Sequence, residues 1–254
     1  MFDIFFGRGD LRATRKSTCY VFNHYFALGM NPRGKSKWLY YLYSAFFNFW
    51  AQIFLPTTFC LSYYYEAKHM TISQLLTSLQ VAINVWVLPP KCFAMYISLK
   101  LLRKGRDIMD VLDQRCTREE EFAKIKHCII LCNRATVFYV SFYTTYAFTT
   151  MVTSMIMGMP PYNLIFPVMD WRSSGYQFVL QSVIEFLLMC TICLHQSTDD
   201  VYAFIYIYVL RTHMQILVER VLRFGREENA DQITDDEYYA ELVRCIKDHQ
   251  NLLR

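Results

Sequence analysis

Two ionisable residues, Glu185 and His195, lie inside an apolar stretch where charged side chains are rare. Exposing such a group to lipid costs roughly 3 kcal/mol or more. Each is therefore either a candidate functional residue or a polar side chain satisfied at a helix interface. They lie ten positions apart, about three helical turns, so we expect no close contact between them. The spans lack the clustered histidines or carboxylates of a membrane enzyme, and the sequence predicts no enzyme activity.

The cysteines offer little further chemistry. They are nine in number and scattered. Cys190 and Cys193 have the spacing of a redox pair, but they lie inside an apolar stretch, and we interpret them as small packing residues. No pair of histidines or cysteines recurs at the spacing of zinc ligands, so the sequence predicts no metal site and no cofactor.

The composition points to a membrane protein. The 254 residues are 54% hydrophobic, 17% aromatic and 19% charged, and the apolar residues form long blocks. Because a membrane helix needs roughly 20 apolar residues, four spans are predicted, at about residues 38–65, 70–99, 129–157 and 175–198. This pattern excludes an ordinary soluble enzyme, a disordered chain and a disulfide-stapled secreted domain. The net charge of +4, with acidic residues mixed among the basic ones, does not indicate nucleic-acid binding.

The distribution of Lys and Arg predicts the topology. The segments outside the spans carry 7, 1, 8, 1 and 7 basic residues in chain order. Cytoplasmic loops collect Lys and Arg, so the N-terminus (1–37), the loop 100–127 and the segment 199–254 are expected in the cytoplasm. The loop 158–174 is expected outside. This arrangement is opposite to that of G-protein-coupled receptors.

Local signals add detail to this plan. Residues 20–26 predict a short interfacial helix before an Asn31-Pro32 stop, and Pro89-Pro90 should kink or end the second span. The prolines and aromatics of 158–174 favour an ordered extracellular loop. The fourth span should continue as one long helix into the cytoplasm, followed by an acidic loop at 227–237 and an amphipathic helix from Glu241.

Three segments resemble motifs of the insect odorant receptors. They are the proline-rich loop with its Asp-Trp pair (160–181), the sequence Asp-Asp-Val-Tyr at 199–202 with 213–221 after it, and the segment Leu-Val-Arg-Cys-Ile-Lys-Asp-His at 242–249. The resemblance implies an all-α membrane protein, a polytopic helical bundle with four of the seven transmembrane helices of that fold. It also implies an odour-gated, nonselective cation channel, formed as a tetramer with a co-receptor in the plasma membrane of olfactory sensory neurons.

The family plan continues beyond this sequence. Residue 254 stands where the fifth span is expected, so the resemblance implies that the pore-forming C-terminal helices are absent. We expect a fragment, a truncated isoform or an incomplete gene model, and no conductance from this chain alone. Two other functions remain open: a gustatory receptor of the same superfamily and an unrelated small polytopic transporter.

The resemblance also implies a ligand site for a volatile small-molecule odorant, in the outer half of the bundle. Aromatic and small polar side chains in the outer halves of spans two, three and four are the candidates, although aromatics at helical spacing also serve as packing or lipid contacts. The candidate ligand-binding residues are Ile83, Trp86, Phe142, Tyr143, Tyr146, Thr149, Phe178, Gln181 and Ser182. The identity of the odorant is not predicted.

Overall fold

The structure, a computed structural model, describes residues 11–31, 37–66, 72–166, 169–224 and 235–252. Four of the predicted features fall, wholly or in part, outside the described residues: Pro32 of the predicted Asn-Pro stop, Lys68, Pro167 of the proline-rich loop and most of the acidic stretch 227–237.

The described chain is built from helices. A 3-10 turn, Thr14–Thr18, precedes the first helix, and a π-helical turn, Trp50–Phe54, joins the second to the third. In this part of the chain the only β pairing is an isolated bridge between Phe166 and Met169. The helices are α1 (Cys19–Ala27), α2 (Lys37–Phe49), α3 (Leu55–Glu66), α4 (Ile72–Asp113), α5 (Glu119–Ile156), α6 (Gly175–Phe224) and α7 (Asp235–Leu252).

Two helices among the described residues are long and apolar enough to cross a membrane, within Ser78–Asp113 and Gly175–Arg223. They belong to α4 and α6, the predicted second and fourth spans. At about 1.5 Å per residue both are longer than the ~30 Å hydrocarbon layer is thick. The spans at 38–65 and 129–157 are helical but richer in Tyr and Thr, and their passage through the membrane stays a prediction.

The prolines of α4 do not end that helix. Pro89 and Pro90 lie inside Ile72–Asp113, so the expectation that the helix could end there is wrong. Each proline removes one backbone donor. Buried side chains lie on both sides of the pair; they are Val85, Leu88, Cys92, Met95 and Leu99.

The chain divides into two compact units. The charged unit comprises residues 1–20, 99–135 and 202–254, and the aromatic unit comprises 21–98 and 136–201. Helices α4, α5 and α6 contribute residues to both. As the periodicity predicts, α6 is one helix from Gly175 to Phe224.

In the aromatic unit, hydrogen bonds and close packing join α1 to α2. The Tyr40 hydroxyl accepts the backbone N–H of Asn31 at 2.9 Å and donates to the carbonyl of Phe26 at 3.0 Å. Gly29 follows α1 with a φ of +76°, and a Cβ there would lie 2.9 Å from Cα of Ser44. Glycine thus permits both the left-handed turn and the close approach of the two helices.

In the charged unit, the N-terminal segment packs onto the helices. Leu11 joins a buried cluster with Cys116, Ile125, Ile129 and Ile216. The backbone N–H and the hydroxyl of Thr14 both donate to the Asp113 carboxylate at the end of α4, each at 2.5 Å.

Candidate functional site

The N-terminal part of α6 carries three buried polar side chains on one face. Gln181, Ser182 and Glu185 are each at most 1% exposed. Gln181 and Ser182 precede Glu185 by four and three residues, and residues at these spacings are neighbours on a helix surface, so all three lie on the buried side of α6. The sequence singled out each of them separately, and the helix brings them together.

Glu185 binds the loop that precedes α6. Its carboxylate accepts the backbone N–H of Tyr162 at 2.8 Å and that of Leu164 at 2.9 Å. The Gln181 amide donates to the same carboxylate at 2.9 Å and to the Leu164 carbonyl at 2.8 Å. Glu185 and Gln181, one turn apart on α6, therefore bind the loop backbone together: Glu185 accepts two of its N–H groups, and Gln181 donates to one of its carbonyl groups.

The loop is buried along the segment Tyr162–Phe166, which we call the anchored segment. Alternate side chains, those of Tyr162, Leu164 and Phe166, are 2–7% exposed. The backbone N–H of Ile165 donates to the Ser62 hydroxyl of α3 at 2.9 Å. Together with Glu185, these contacts attach the segment to two helices of the aromatic unit.

On this turn of α6, two polar side-chain atoms have no hydrogen-bond partner among the residues that the structure describes. They are the hydroxyl oxygen of Ser182 and the side-chain carbonyl oxygen of Gln181, and both are buried. Buried polar atoms are nearly always hydrogen-bonded, so these two are exceptions. Phe178, half-buried one turn earlier, lies with its ring 6.4 Å from that of Trp171.

Most of the other predicted ligand-binding residues do not converge on this position; Tyr146, which interacts electrostatically with Tyr162 of the anchored segment, is the exception. Ile83, Trp86, Phe142 and Tyr146 are 42–65% exposed, and the exposed Thr149 bonds the carbonyl one turn back. The Tyr143 hydroxyl donates to Asp200 at 2.5 Å, a link between α5 and α6. Of the predicted ligand-binding residues, the structure therefore places Phe178, Gln181 and Ser182 close together on α6. Glu185 and the anchored segment lie beside them.

His195 has a separate environment. It is 1% exposed, with Nδ1 3.4 Å from the Cys92 sulfur and its ring 6.2 Å from that of Phe47. It shares none of these contacts with Glu185, as the ten-residue separation predicts. Lys91, beside Cys92, donates to Gln196 at 2.9 Å and so adds a second link between α4 and α6.

The charged unit contains a buried ionic cluster around Arg220 of α6. The guanidinium donates through Nε and Nη2 to the two oxygens of Glu121, at 2.8 and 3.0 Å. Burial alone raises the pKa of Glu121, but the bonds from Arg220 outweigh it and the net pKa is lowered. Asp248 of α7 lies 3.5 Å from Arg220 and forms a close ion pair with Arg115, which also bonds Glu241 at 2.8 Å.

A small cavity lies beside this cluster. Burial lowers the pKa of His213, which lines it, to about 4, so the imidazole is neutral at pH 7. The lining combines apolar and charged side chains, unlike the apolar surroundings expected for a volatile ligand. It consists of Leu112, Cys116, His213, Ile216, Leu217, Arg220, Asp248 and Leu252.

Comparison with known proteins identifies the family. The profile of the 7tm Odorant receptor family matches residues 71–254. The chain belongs to this family. Among curated relatives, Odorant receptor 42a of Drosophila melanogaster is 32% identical over 242 residues, covering 95% of this chain and 59% of the relative. Odorant receptor 42b is 32% identical over 247 residues, covering 96% and 61%. Odorant receptor 59b is 29% identical over 245 residues, covering 95% and 60%.

This odorant receptor chain thus spans about three fifths of the length of the curated relatives that it matches. No solved structure matches it. The family consists of helical membrane receptors, and the all-helical architecture of the described residues agrees with that assignment. The prediction of an insect odorant receptor with an all-α membrane fold is therefore confirmed.

Proposed function

We propose that the protein is an odorant receptor subunit that binds volatile odorants and, with a co-receptor, forms an odour-gated nonselective cation channel in the plasma membrane of olfactory sensory neurons. The observation that carries this proposal is the family match over 71–254, supported by relatives named as odorant receptors. The relatives favour smell over the gustatory alternative and over an unrelated transporter. The assembly partner and the tetramer come from the family resemblance.

The proposed topology places the N-terminus in the cytoplasm. The alternation of 7, 1, 8, 1 and 7 basic residues supports it. The ionic cluster of the charged unit fits the cytoplasmic side, since Arg115, Glu121, Arg220 and Asp248 lie outside the predicted spans. A tag at Met1 should be detected only after the cells are permeabilised. Detection on intact cells would contradict this orientation.

The proposed odorant site lies at Phe178, Gln181 and Ser182, against the anchored segment. A small volatile ligand gains affinity mainly from apolar contact, with a few polar groups setting its orientation. The unpartnered oxygens of Gln181 and Ser182 supply such groups. The candidates on the other helices remain part of the proposal as the walls of a larger pocket; they are Ile83, Trp86, Phe142, Tyr146 and Thr149. Tyr143 is left out of this pocket, because its hydroxyl bonds Asp200, which lies about 27 Å beyond Ser182 along α6.

The direct test is heterologous expression. The complete gene product is expressed with the co-receptor, its delivery to the cell surface is verified, and a broad panel of odorants is applied under voltage clamp. We expect an inward cation current with at least one odorant and none from the co-receptor alone. Silence across the panel, with the receptor present at the surface, would contradict the proposal.

A further inference from the structure

The anchored segment depends on a single carboxylate. Glu185 is 0% exposed and receives three donors: the backbone N–H groups of Tyr162 and Leu164 and the amide of Gln181, all within 2.8–2.9 Å. In the part of the chain that the structure describes, no Lys, Arg or His forms an ion pair with it. Dipoles of the loop and of Gln181 therefore surround the carboxylate.

The three N–H donors that point at position 185 are best matched by a side chain that has only hydrogen-bond acceptors. An ionised carboxylate has two oxygens with about four acceptor sites and no proton to donate. Gln at position 185 would keep one accepting oxygen and turn an NH2 group toward a backbone N–H. At least one bond to Tyr162 or Leu164 would then be lost, and bonds to a charged acceptor are the stronger kind.

The same contacts link the segment to the proposed odorant site. Gln181 bonds both Glu185 and the carbonyl of Leu164, and Ser182, with its unpartnered hydroxyl, is the next residue of α6. A change at Glu185 therefore displaces the loop backbone beside the two polar atoms assigned to the ligand, without removing either of them.

We propose that Glu185 is a positioning residue that holds the anchored segment Tyr162–Phe166 against α6, so that this loop forms one wall of the odorant site. The effect on odorant sensitivity rests on the proposed function, whereas the attachment of the loop does not. Glu185 itself is not assigned to the ligand.

The attachment is tested by thiol labelling at Leu164, which is 2% exposed. In receptor carrying Leu164→Cys, a small membrane-permeant methanethiosulfonate should react slowly, with the receptor lacking this cysteine as background. Adding Glu185→Gln should increase the rate by about tenfold or more. Glu185→Asp, which keeps an acceptor-only group, should increase it less, and Glu120→Gln, the same change at an exposed carboxylate, should leave it unchanged. Equal rates with and without Glu185→Gln, or equal effects of Asp and Gln, would overturn the proposal.

Odorant dose–response curves give the second readout. At matched surface levels, Glu185→Gln should shift the half-maximal odorant concentration at least about tenfold, with a smaller shift for Glu185→Asp. If the unmodified receptor responds and Glu185→Gln raises labelling without moving the curve, the loop is not a wall of the site and that part of the proposal is wrong. If the unmodified receptor is silent at the surface, the proposed function fails, while the labelling experiment still decides the attachment.

Discussion

The guanidinium of Arg220 donates two hydrogen bonds, of 2.8 and 3.0 Å, to the two carboxylate oxygens of Glu121. This pair joins α6 to the start of α5. The side chains are only 11% and 3% exposed. A second link, from Asp248 of α7 to Arg115, completes the cluster. Buried pairs of this kind are costly to break from one side because the remaining charge stays in a poorly solvated position.

Replacing Arg220 should therefore destabilise the receptor strongly. With Arg220→Met, the Glu121 carboxylate stays buried, with Arg223 the nearest remaining cation, at 3.7 Å. The expected loss is about 3–5 kcal/mol, seen as a lower thermal midpoint in detergent and reduced surface abundance. Lys124→Met is the matched control, because its partner Glu219 is 40% exposed and such pairs contribute about 0–1 kcal/mol. Equal effects of the two variants would contradict the role of burial.

Asp248 should hold α7 in place. Asp248→Asn weakens the ion pair with Arg115 and the contact with Arg220, and Cys245, 3% exposed on the same helix, should become accessible. We expect about tenfold faster modification of Cys245 by a thiol reagent, measured on its peptide by mass spectrometry. Lys247→Gln, at an exposed neighbouring position, should not change the rate. Unchanged protection in Asp248→Asn would mean that other contacts hold the helix.

Asp113 should make the stability of the receptor depend on pH. Burial raises the pKa of this carboxyl to about 6 from an ordinary 3.8, although the bonds from Thr14 lower it. A raised pKa in the folded state means that the stability from this group is greatest below about pH 4 and is lost as the pH rises through about 6. Asp113→Asn does not titrate, so its stability relative to the unmodified receptor should improve by up to about 3 kcal/mol across that range.

Thermal midpoints measured in detergent between about pH 4 and pH 7.5 test this expectation. Thr14→Val, which removes a donor that lowers the pKa of Asp113, should steepen the loss of stability on raising the pH. If the difference in thermal midpoint between Asp113→Asn and the unmodified receptor is the same at every pH, the raised pKa of Asp113 is contradicted.

The sequence predicts helices better than it predicts contacts. The length of α6 follows from its apolar periodicity, and the burial of Gln181 and Ser182 fits their place in an apolar span. The partners of Glu185 could not be predicted, because they are backbone N–H groups of a loop, which carry no side-chain signal. Arg115 lies in the turn that follows α4 and Asp248 lies in α7, and no periodicity pairs them. The helix does not end at Pro89-Pro90, and buried residues lie on either side of the pair, which the proline rule does not consider.

The most direct test of an odorant site at this position is a steric block of one face of α6. Ser182 is buried and Val183, the next residue, is 38% exposed, so Ser182→Phe fills the proposed site while Val183→Phe leaves it open. Each variant of the complete gene product is expressed with the co-receptor, and the odorant-evoked current is recorded at matched surface levels. We expect Ser182→Phe to abolish the response to the activating odorant and Val183→Phe to preserve it. A response from Ser182→Phe equal to that of the unmodified receptor would contradict the site.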